Sequence, residues 1–374
     1  MKILQIVYKL SSGGAERFSV DLCNSLVAQG HDVELCIIRD LGITNNAFYL
    51  QELSSQIRLH NLKIRPGFSL RYFFNIRSLI KKISPEIVHV HLDLFKYIFP
   101  LPLIDKKRIY FQTIHNDASS IRSKIERTLS GYLYKQGKVK AVTISQETTR
   151  SFRKQWNCAP FSEIMNGCAD APPTELFSNV KYEIENYKRK DSDLVFLHVG
   201  RFSKQKNQKL LIDSFNNLAK EYSDYVLLVI GAGFNTEEAK YLISSANSRI
   251  KFLGERKNVA DYFSLSDAFC LTSIYEGMPI SLIEAYCHGC VPICTPVGGI
   301  INVIEDGTDG FLSKKIDTQS YLNALRSYVN NQKKVSKEAL RAKYANFLSM
   351  RRCSQDYIRA YSTALIKQHE REQA

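Results

Sequence analysis

The sequence predicts two doubly wound α/β domains in tandem. Short apolar runs alternate with amphipathic helical stretches from the first residues onward, a polar Pro-bearing segment at 171–192 interrupts them, and the alternation then restarts. A chain of 374 residues, 44% hydrophobic, has the material for two packed cores.

Taken in order, residues 3–8 read as a short apolar strand followed by a glycine turn. The next helix sets Ala15, Phe18, Leu22 and Leu26 on one face, and Gly30 stops it. Residues 33–38, 85–91, 108–113 and 138–144 read as further strands with helices between them, closing a first domain at 1–170. The segment 171–192, with Pro172, Pro173 and Lys- and Glu-rich sequence, is expected to be a linker. Residues 194–199, 225–230, 250–253, 268–271 and 291–295 are strand candidates of a second domain at 193–350. Residues 351–374 read as a C-terminal helix that returns to the first domain. The halves share no sequence repeat.

Composition narrows the function. No run of 18 apolar residues occurs and the apolar N-terminal segment is too short for a signal peptide, so a cytoplasmic protein is expected. Nine cysteines in a chain this long do not make a disulfide scaffold, and without export they are expected to be reduced. Cys287 and Cys290 have a metal-ligand spacing, but no second pair accompanies them, so buried thiols at a helix end are preferred to zinc.

The net charge of +14 is unevenly placed: residues 58–154 hold 20 basic and 6 acidic residues, an excess equal to that of the whole chain. Basic and aromatic residues interleave there, as in Arg65, Phe68, Arg71, Tyr72, Phe73, Phe74 and Arg77. Such a face attracts anionic lipid head groups, diphosphate-linked acceptors or nucleic acid. For any single cluster, a solvated helix face is the plainer alternative. Tyr72, Ile76, Leu79 and Ile83, at helical spacing, assign part of it to the core.

Ligands of open parallel sheets bind beyond the carboxyl ends of strands, and the distinctive motifs fall there. The richest runs from Ser273 through Glu276, Gly277, Met278, Pro279 and Ile280 to Glu284 and Ala285. Proline at the first helical position loses no hydrogen bond, so Pro279 reads as the helix start, with Glu276 in the loop before it and Glu284 on the second turn. Unpaired N–H groups and the dipole at that end favour anions and hydroxyl-rich ligands, a layout suited to a sugar attached to a phosphate. Spacing alone equally fits a first-turn acid and an exposed glutamate.

Arg201 and Lys206, five residues apart in the turn after 194–199, can both reach a diphosphate, the arginine as a two-pronged donor and the lysine as a point charge. A cation before a helix is unfavourable unless an anion compensates it. Gly13 and Gly14 follow the first strand and permit a phosphate to approach the backbone, although tight turns need glycine as well. His115 follows the strand at 108–113, where a lone histidine is more often structural than catalytic. His89 and His91 alternate on the strand at 85–91, a metal pair or a buried strand end. Asp191 and Asp193 precede a strand, whereas a metal–diphosphate triplet would end one, so they read as a polar loop.

Over nearly its whole length the chain resembles the retaining glycosyltransferases of family 4, and Glu276 and Glu284 match that family's Glu-x7-Glu signature. The resemblance implies the GT-B fold, two Rossmann-like doubly wound domains facing across a cleft. It implies that Glu276 holds donor-sugar hydroxyls, Glu284 lies near the ribose, and Arg201 and Lys206 bind the donor diphosphate. Gly277, Met278, Pro279 and Ile280 belong to the same donor loop by this resemblance. Gly13 and Gly14 then approach the donor phosphates, Gly254 ends the strand whose backbone holds the nucleobase, and His115 faces the reacting sugar. Gly298 and Gly299 resemble a loop bordering the donor pocket, but Asn302 stands where the family commonly has an acid, which bears on the donor sugar.

The implied activity is retaining transfer of a hexosyl or N-acetylhexosaminyl group from a UDP-linked donor to a saccharide or lipid-linked acceptor. Cell-surface polysaccharide or glycolipid synthesis, such as capsule or lipopolysaccharide, is its expected setting. No cofactor and no metal are expected, the diphosphate charge being balanced by Arg201, Lys206 and helix N-termini. The basic first domain is expected to take the acceptor at an anionic surface, the inner face of the cytoplasmic membrane; nucleic acid is not an expected partner. The alternatives are a nucleotide-sugar epimerase or phosphorylase on the same fold, or a non-catalytic basic membrane- or nucleic-acid-binding protein. A glycoside hydrolase would place its acids on opposite faces of the sugar and has no need of phosphate-binding cations.

Overall fold

A computed structural model describes residues 1–42, 47–64, 70–92, 98–115, 123–331 and 335–373, excluding the side chains of 70–72 and 372. The chain divides into two α/β units, Met1–Ala169 with Met350–Ala374, and Asp170–Ser349.

The first unit runs β1 (Lys2–Val7), α1 (Gly14–Ala28), β2 (Asp32–Ile37), β3 (Arg58–Asn61), α2 (Leu70–Ile83), β4 (Ile87–His91), α3 (Leu101–Ile104) and β5 (Ile109–Ile114). It continues with α4 (Lys124–Lys135), β6 (Val139–Thr143), α5 (Gln146–Trp156) and β7 (Ser162–Glu163). All seven strands are parallel, in the order β3-β2-β1-β4-β5-β6-β7. β4 and β5 are buried at every position, as strands covered by helices on both faces must be. Both carry polar residues among the apolar ones, His89 and His91 on β4 and Gln112 and Thr113 on β5, and these are buried too. The winding direction reverses between β1 and β4, which places the ligand crevice of such a sheet at the carboxyl ends of those strands.

The second unit runs α6 (Phe177–Tyr187), β8 (Leu194–Val199), α7 (Gln208–Leu218), β9 (Tyr225–Ile230), α8 (Glu237–Ser245), β10 (Ile250–Gly254) and α9 (Val259–Ser264). β11 (Ala268–Leu271), α10 (Ile280–His288), β12 (Val291–Cys294), β13 (Phe311–Leu312), α11 (Thr318–Asn331) and α12 (Lys337–Lys343) follow. Its six parallel strands lie in the order β10-β9-β8-β11-β12-β13, the same permutation as in the first unit, with the reversal between β8 and β11. Two Rossmann-like doubly wound sheets are therefore present, as the sequence predicts. The last helix, α13 (Met350–Gln373), belongs to the first unit: Ser354 meets Ser25 of α1 at 2.8 Å, and Tyr357 and Tyr361 are fully buried.

Several expectations need correction. The segment 171–192 is not a free linker: Val180 and Ile184 of α6 are buried, and Thr174 binds the buried carboxylate of Asp261 through its N–H at 2.7 Å and its hydroxyl at 2.6 Å. The second unit accordingly begins at Asp170 and ends at Ser349 rather than spanning 193–350. Asp193 is not part of a solvated loop; it is buried and ion-paired to Arg249. Pro279 caps α10 from an extended conformation, φ −70° and ψ 126°, one position before the helix proper.

Candidate functional site

The reversal between β8 and β11 brings two loops together, β8 to α7 and β11 to α10. Lys206 Nζ lies 2.6 Å from Glu276 Oε1, with the two side chains 18% and 8% exposed. The same carboxylate oxygen accepts from Ser273 Oγ at 2.6 Å. Gln205 Nε2 donates to the Tyr275 carbonyl at 3.0 Å, and Thr272 Oγ1 donates to the carbonyls of Lys206 and Asn207 at 3.0 and 3.1 Å. Arg201, by contrast, is exposed, and its guanidinium has no partner among the described residues. One cation is thus held in place by its counter-charge and one is free, at the start of a helix whose N–H groups already favour an anion.

A third loop closes on the first two. Gly298 has φ +54°, and a Cβ there would run into the backbone carbonyl oxygen of Glu276, so only glycine fits. Gly299 N–H donates to the Gly277 carbonyl at 2.6 Å, and Thr295 Oγ1 to that of Ser273 at 2.6 Å. Asn302 ends this turn and is exposed. Met278 and Ile280 point into the core and support the loop from beneath, whereas Glu284 is half-buried on the second turn of α10. Gly254 ends β10, and its carbonyl accepts from Gly231 N–H at 2.9 Å.

Sequence reasoning missed two residues that shape this site. His198 Nδ1 donates to the Cys270 carbonyl at 2.9 Å, which leaves Nε2 to accept from Gln208 Nε2 at 3.3 Å. Gln208 Nε2 also donates to the Arg201 carbonyl at 3.0 Å, while its Oε1 accepts from Ser203 N–H at 3.3 Å. Both side chains are buried, and burial lowers the His198 pKa to about 4, so the ring is neutral and its lone pair available. Their only signal in the sequence is a polar residue where the pattern calls for an apolar one.

In the first unit Gly13 caps α1 and Gly14 begins it. The carboxylate of Glu16 folds back over Gly13 and accepts from Ser11 Oγ at 3.0 Å, so the chain's own anion covers this helix start. His115 follows β5 directly and is buried, and burial lowers its pKa to about 3. Its Nε2 lies 3.1 Å from Nδ1 of the fully buried His91. Among the described residues no group of three or more His, Cys, Asp or Glu is placed to hold a metal ion. Cys287 and Cys290 are buried, and burial pushes the Cys287 thiol up to about 12.

The basic segment is described in part; residues 65–69 and the side chains of Arg71 and Tyr72 lie outside the described residues. Ile76, Ile80 and Ile83 of α2 are core, while Phe74, Ile104, Ile125 and Tyr132 are exposed at 61, 53, 73 and 53%. Lys81, Lys82, Lys106, Lys107 and Lys124 are exposed as well. Among the described residues no helix is long and apolar enough to cross a membrane.

Comparison with known proteins agrees with this fold. The description Glycosyltransferase Family 4 matches residues 12–168, and Glycosyl transferases group 1 matches residues 180–346. The capsular polysaccharide biosynthesis glycosyltransferase CapH of Staphylococcus aureus is 24% identical over 349 residues, 90% of this chain and 93% of the relative. The GalNAc-alpha-(1->4)-GalNAc-alpha-(1->3)-diNAcBac-PP-undecaprenol alpha-1,4-N-acetyl-D-galactosaminyltransferase of Campylobacter jejuni is 25% identical over 340 residues, 89% of this chain and 90% of the relative. The crystal structure of Anabaena HepE in complex with UDP and glucose has a TM-score of 0.79 at 18% identity, covering 97% of this chain and 100% of that one, a likeness of fold.

Proposed function

Since the chain belongs to glycosyltransferase family 4 and has the GT-B fold, we propose that it transfers a hexosyl or N-acetylhexosaminyl group, with retention, from a UDP-sugar to a lipid-linked saccharide in cell-surface polysaccharide or glycolipid synthesis. The observation that carries the reading is the pairing of Lys206 with Glu276 beside Arg201, which has no partner among the described residues. As the bond from the anomeric carbon to the diphosphate breaks, negative charge gathers on the departing phosphate. Arg201 meets it directly. Lys206, drawn from Glu276 by the same charge, meets it second, and Glu276 becomes available to the sugar hydroxyls. Cations already in place stabilise this transition state more than the ground state. The departing phosphate oxygen takes the proton of the acceptor hydroxyl. Support for UDP and a lipid-linked acceptor comes from the UDP complex of HepE and from the diphospho-undecaprenol substrate named for the Campylobacter relative.

UDP- and GDP-sugars tested for thermal stabilisation decide the nucleotide: UDP-sugars raise Tm in proportion to affinity, and a response to GDP-sugars alone overturns the choice. Turnover is expected to be unchanged in EDTA, because Arg201, Lys206 and helix N-termini balance the charge a metal would otherwise carry. A requirement for Mg²⁺ or Mn²⁺ sinks this account of the site, and nucleotide-sugar conversion without any acceptor points to an epimerase.

The acceptor side falls to the first unit, whose exposed lysines and exposed Phe74, Ile104, Ile125 and Tyr132 suit an anionic membrane surface at the cytoplasmic face. Each basic residue near such a surface contributes about 1 kcal/mol, so roughly four to six suffice for reversible attachment. Co-sedimentation with anionic vesicles is expected to fall as salt rises, through screening. Equal recovery on neutral vesicles removes the membrane from the proposal.

A further inference from the structure

Behind His115 runs a buried chain of hydrogen bonds that the reaction itself does not use. His115 Nε2 meets His91 Nδ1 at 3.1 Å, His91 Nε2 meets Gln5 Oε1 at 2.8 Å, and Gln5 Nε2 donates to Tyr361 Oη at 3.3 Å. Tyr361 Oη lies 2.6 Å from His89 Nδ1, His89 Nε2 is 2.8 Å from Thr113 Oγ1, and Thr113 Oγ1 is 2.9 Å from Tyr357 Oη. Gln5, His89, His91, Thr113, Tyr357 and Tyr361 are all 0–1% exposed. The chain thus joins the end of β5 to the C-terminal helix α13 through the interior of the first unit.

Such a chain has two self-consistent proton arrangements, one the reverse of the other, because each neutral imidazole carries one N–H and a glutamine amide can turn over. Distances choose between them. Hydroxyl donors make shorter bonds than amide donors. At 2.6 Å from His89 and 3.3 Å from Gln5, the Tyr361 hydroxyl therefore donates to His89 Nδ1 and accepts from the Gln5 amide. Gln5 then turns Oε1 to His91, whose single proton must lie on Nε2. His91 Nδ1 is left bare and accepts from His115 Nε2–H. Burial keeps the rings neutral, lowering His89 and His115 to about 3 and His91 well below its ordinary value.

We propose that His91, oriented by Gln5 and Tyr361, is a positioning residue that fixes His115 as its Nε2–H tautomer and leaves Nδ1 as a bare acceptor. Nδ1 makes no hydrogen bond among the described residues and is the ring atom left for a ligand hydroxyl. The kinetic consequence rests on the glycosyltransferase reading, in which His115 meets the reacting sugar. The tautomer does not.

The experiment uses full-length protein with ¹⁵N-labelled histidine, because nitrogen chemical shifts distinguish a protonated ring nitrogen from a bare one without substrate. His115 is expected to be protonated at Nε2 in the wild type. His91→Phe removes the acceptor, so His115 should populate both tautomers and kcat should fall roughly tenfold or more with donor KM little changed. His91→Asn, whose Oδ1 replaces the lone pair of Nδ1, should restore both the tautomer and the rate. Should His91→Phe not fold, Tyr361→Phe removes a single oxygen, frees Gln5 to turn over and should release the second tautomer. An Nδ1–H tautomer in the wild type, or one tautomer and an unchanged rate in all three variants, overturns the proposal. Absence of sugar transfer by the wild type, with the Nε2–H tautomer present, overturns the functional reading instead.

Discussion

Lys206 stands at the dipole-positive end of α7, where a cation is disfavoured, and Glu276 compensates it at 2.6 Å. Among the described residues Arg201 has no such counter-charge, which separates the consequences of removing each. Arg201→Ala should lower turnover, by on the order of 2–4 kcal/mol of barrier, while leaving the melting temperature unchanged. Lys206→Ala should lose comparable turnover and stability too, because a carboxylate only 8% exposed keeps, among the described residues, Ser273 and Gln205 as partners but no cation. The double variant with Glu276→Ala should be non-additive, since the two residues act on each other. Glu284→Ala should cost far less transfer than Glu276→Ala. Kinetics and thermal denaturation of the five proteins check this, and equal stability losses at 201 and 206 would contradict the pairing. Both acids and both cations were legible as residue types after strands. Their direct contact was not, because 70 positions separate Lys206 from Glu276 and only the fold brings them together.

The elements that could be read from sequence were those with a long apolar run, such as β8 and β9, since burial on both faces writes itself directly into residue type. β3, with the sequence Arg-Leu-His-Asn, and the two-residue β7 and β13 were missed because an edge strand is held mainly by its backbone and needs little apolar side chain. The misreading of 171–192 has a related cause: α6 buries only Val180 and Ile184, and its other attachments are polar. Loop packing leaves a sharper trace when it demands glycine. At Gly298 both a positive φ and the Glu276 carbonyl oppose a side chain, whereas Gly307 has φ +78° with nothing within 4 Å of a Cβ. Gly298→Ala should therefore destabilise by roughly 1–3 kcal/mol and weaken donor binding, while Gly307→Ala pays only the backbone strain. Melting temperature and donor affinity of the pair measure the difference; similar values for both would mean that the loop yields freely around Glu276.

At the scale of the whole molecule, buried histidines are unevenly shared: His89, His91 and His115 lie in the first unit and His198 in the second. Each is neutral when folded, with a pKa depressed by burial, and takes up a proton once unfolded, near its ordinary value of about 6.5. The unfolded chain then binds more protons than the folded one, so stability falls as pH drops below that value. Each histidine contributes a slope of up to about 1.4 kcal/mol per pH unit across that window. Asp21 acts in the opposite sense, its carboxyl raised by burial, over a window that opens at the ordinary carboxylate value and closes at the raised one. Burial lowers His31 in the first unit and His288 in the second as well, so four of the six depressed histidines act on the first unit, which therefore should weaken first. Trp156, the single tryptophan, is buried in that unit and reports its unfolding alone. Denaturant titrations from pH 7 to 5 should show the Trp156 fluorescence midpoint falling faster than the far-UV midpoint of the whole chain. A fluorescence midpoint that stays level over this range would mean that these histidines find protons, or water, within the folded interior.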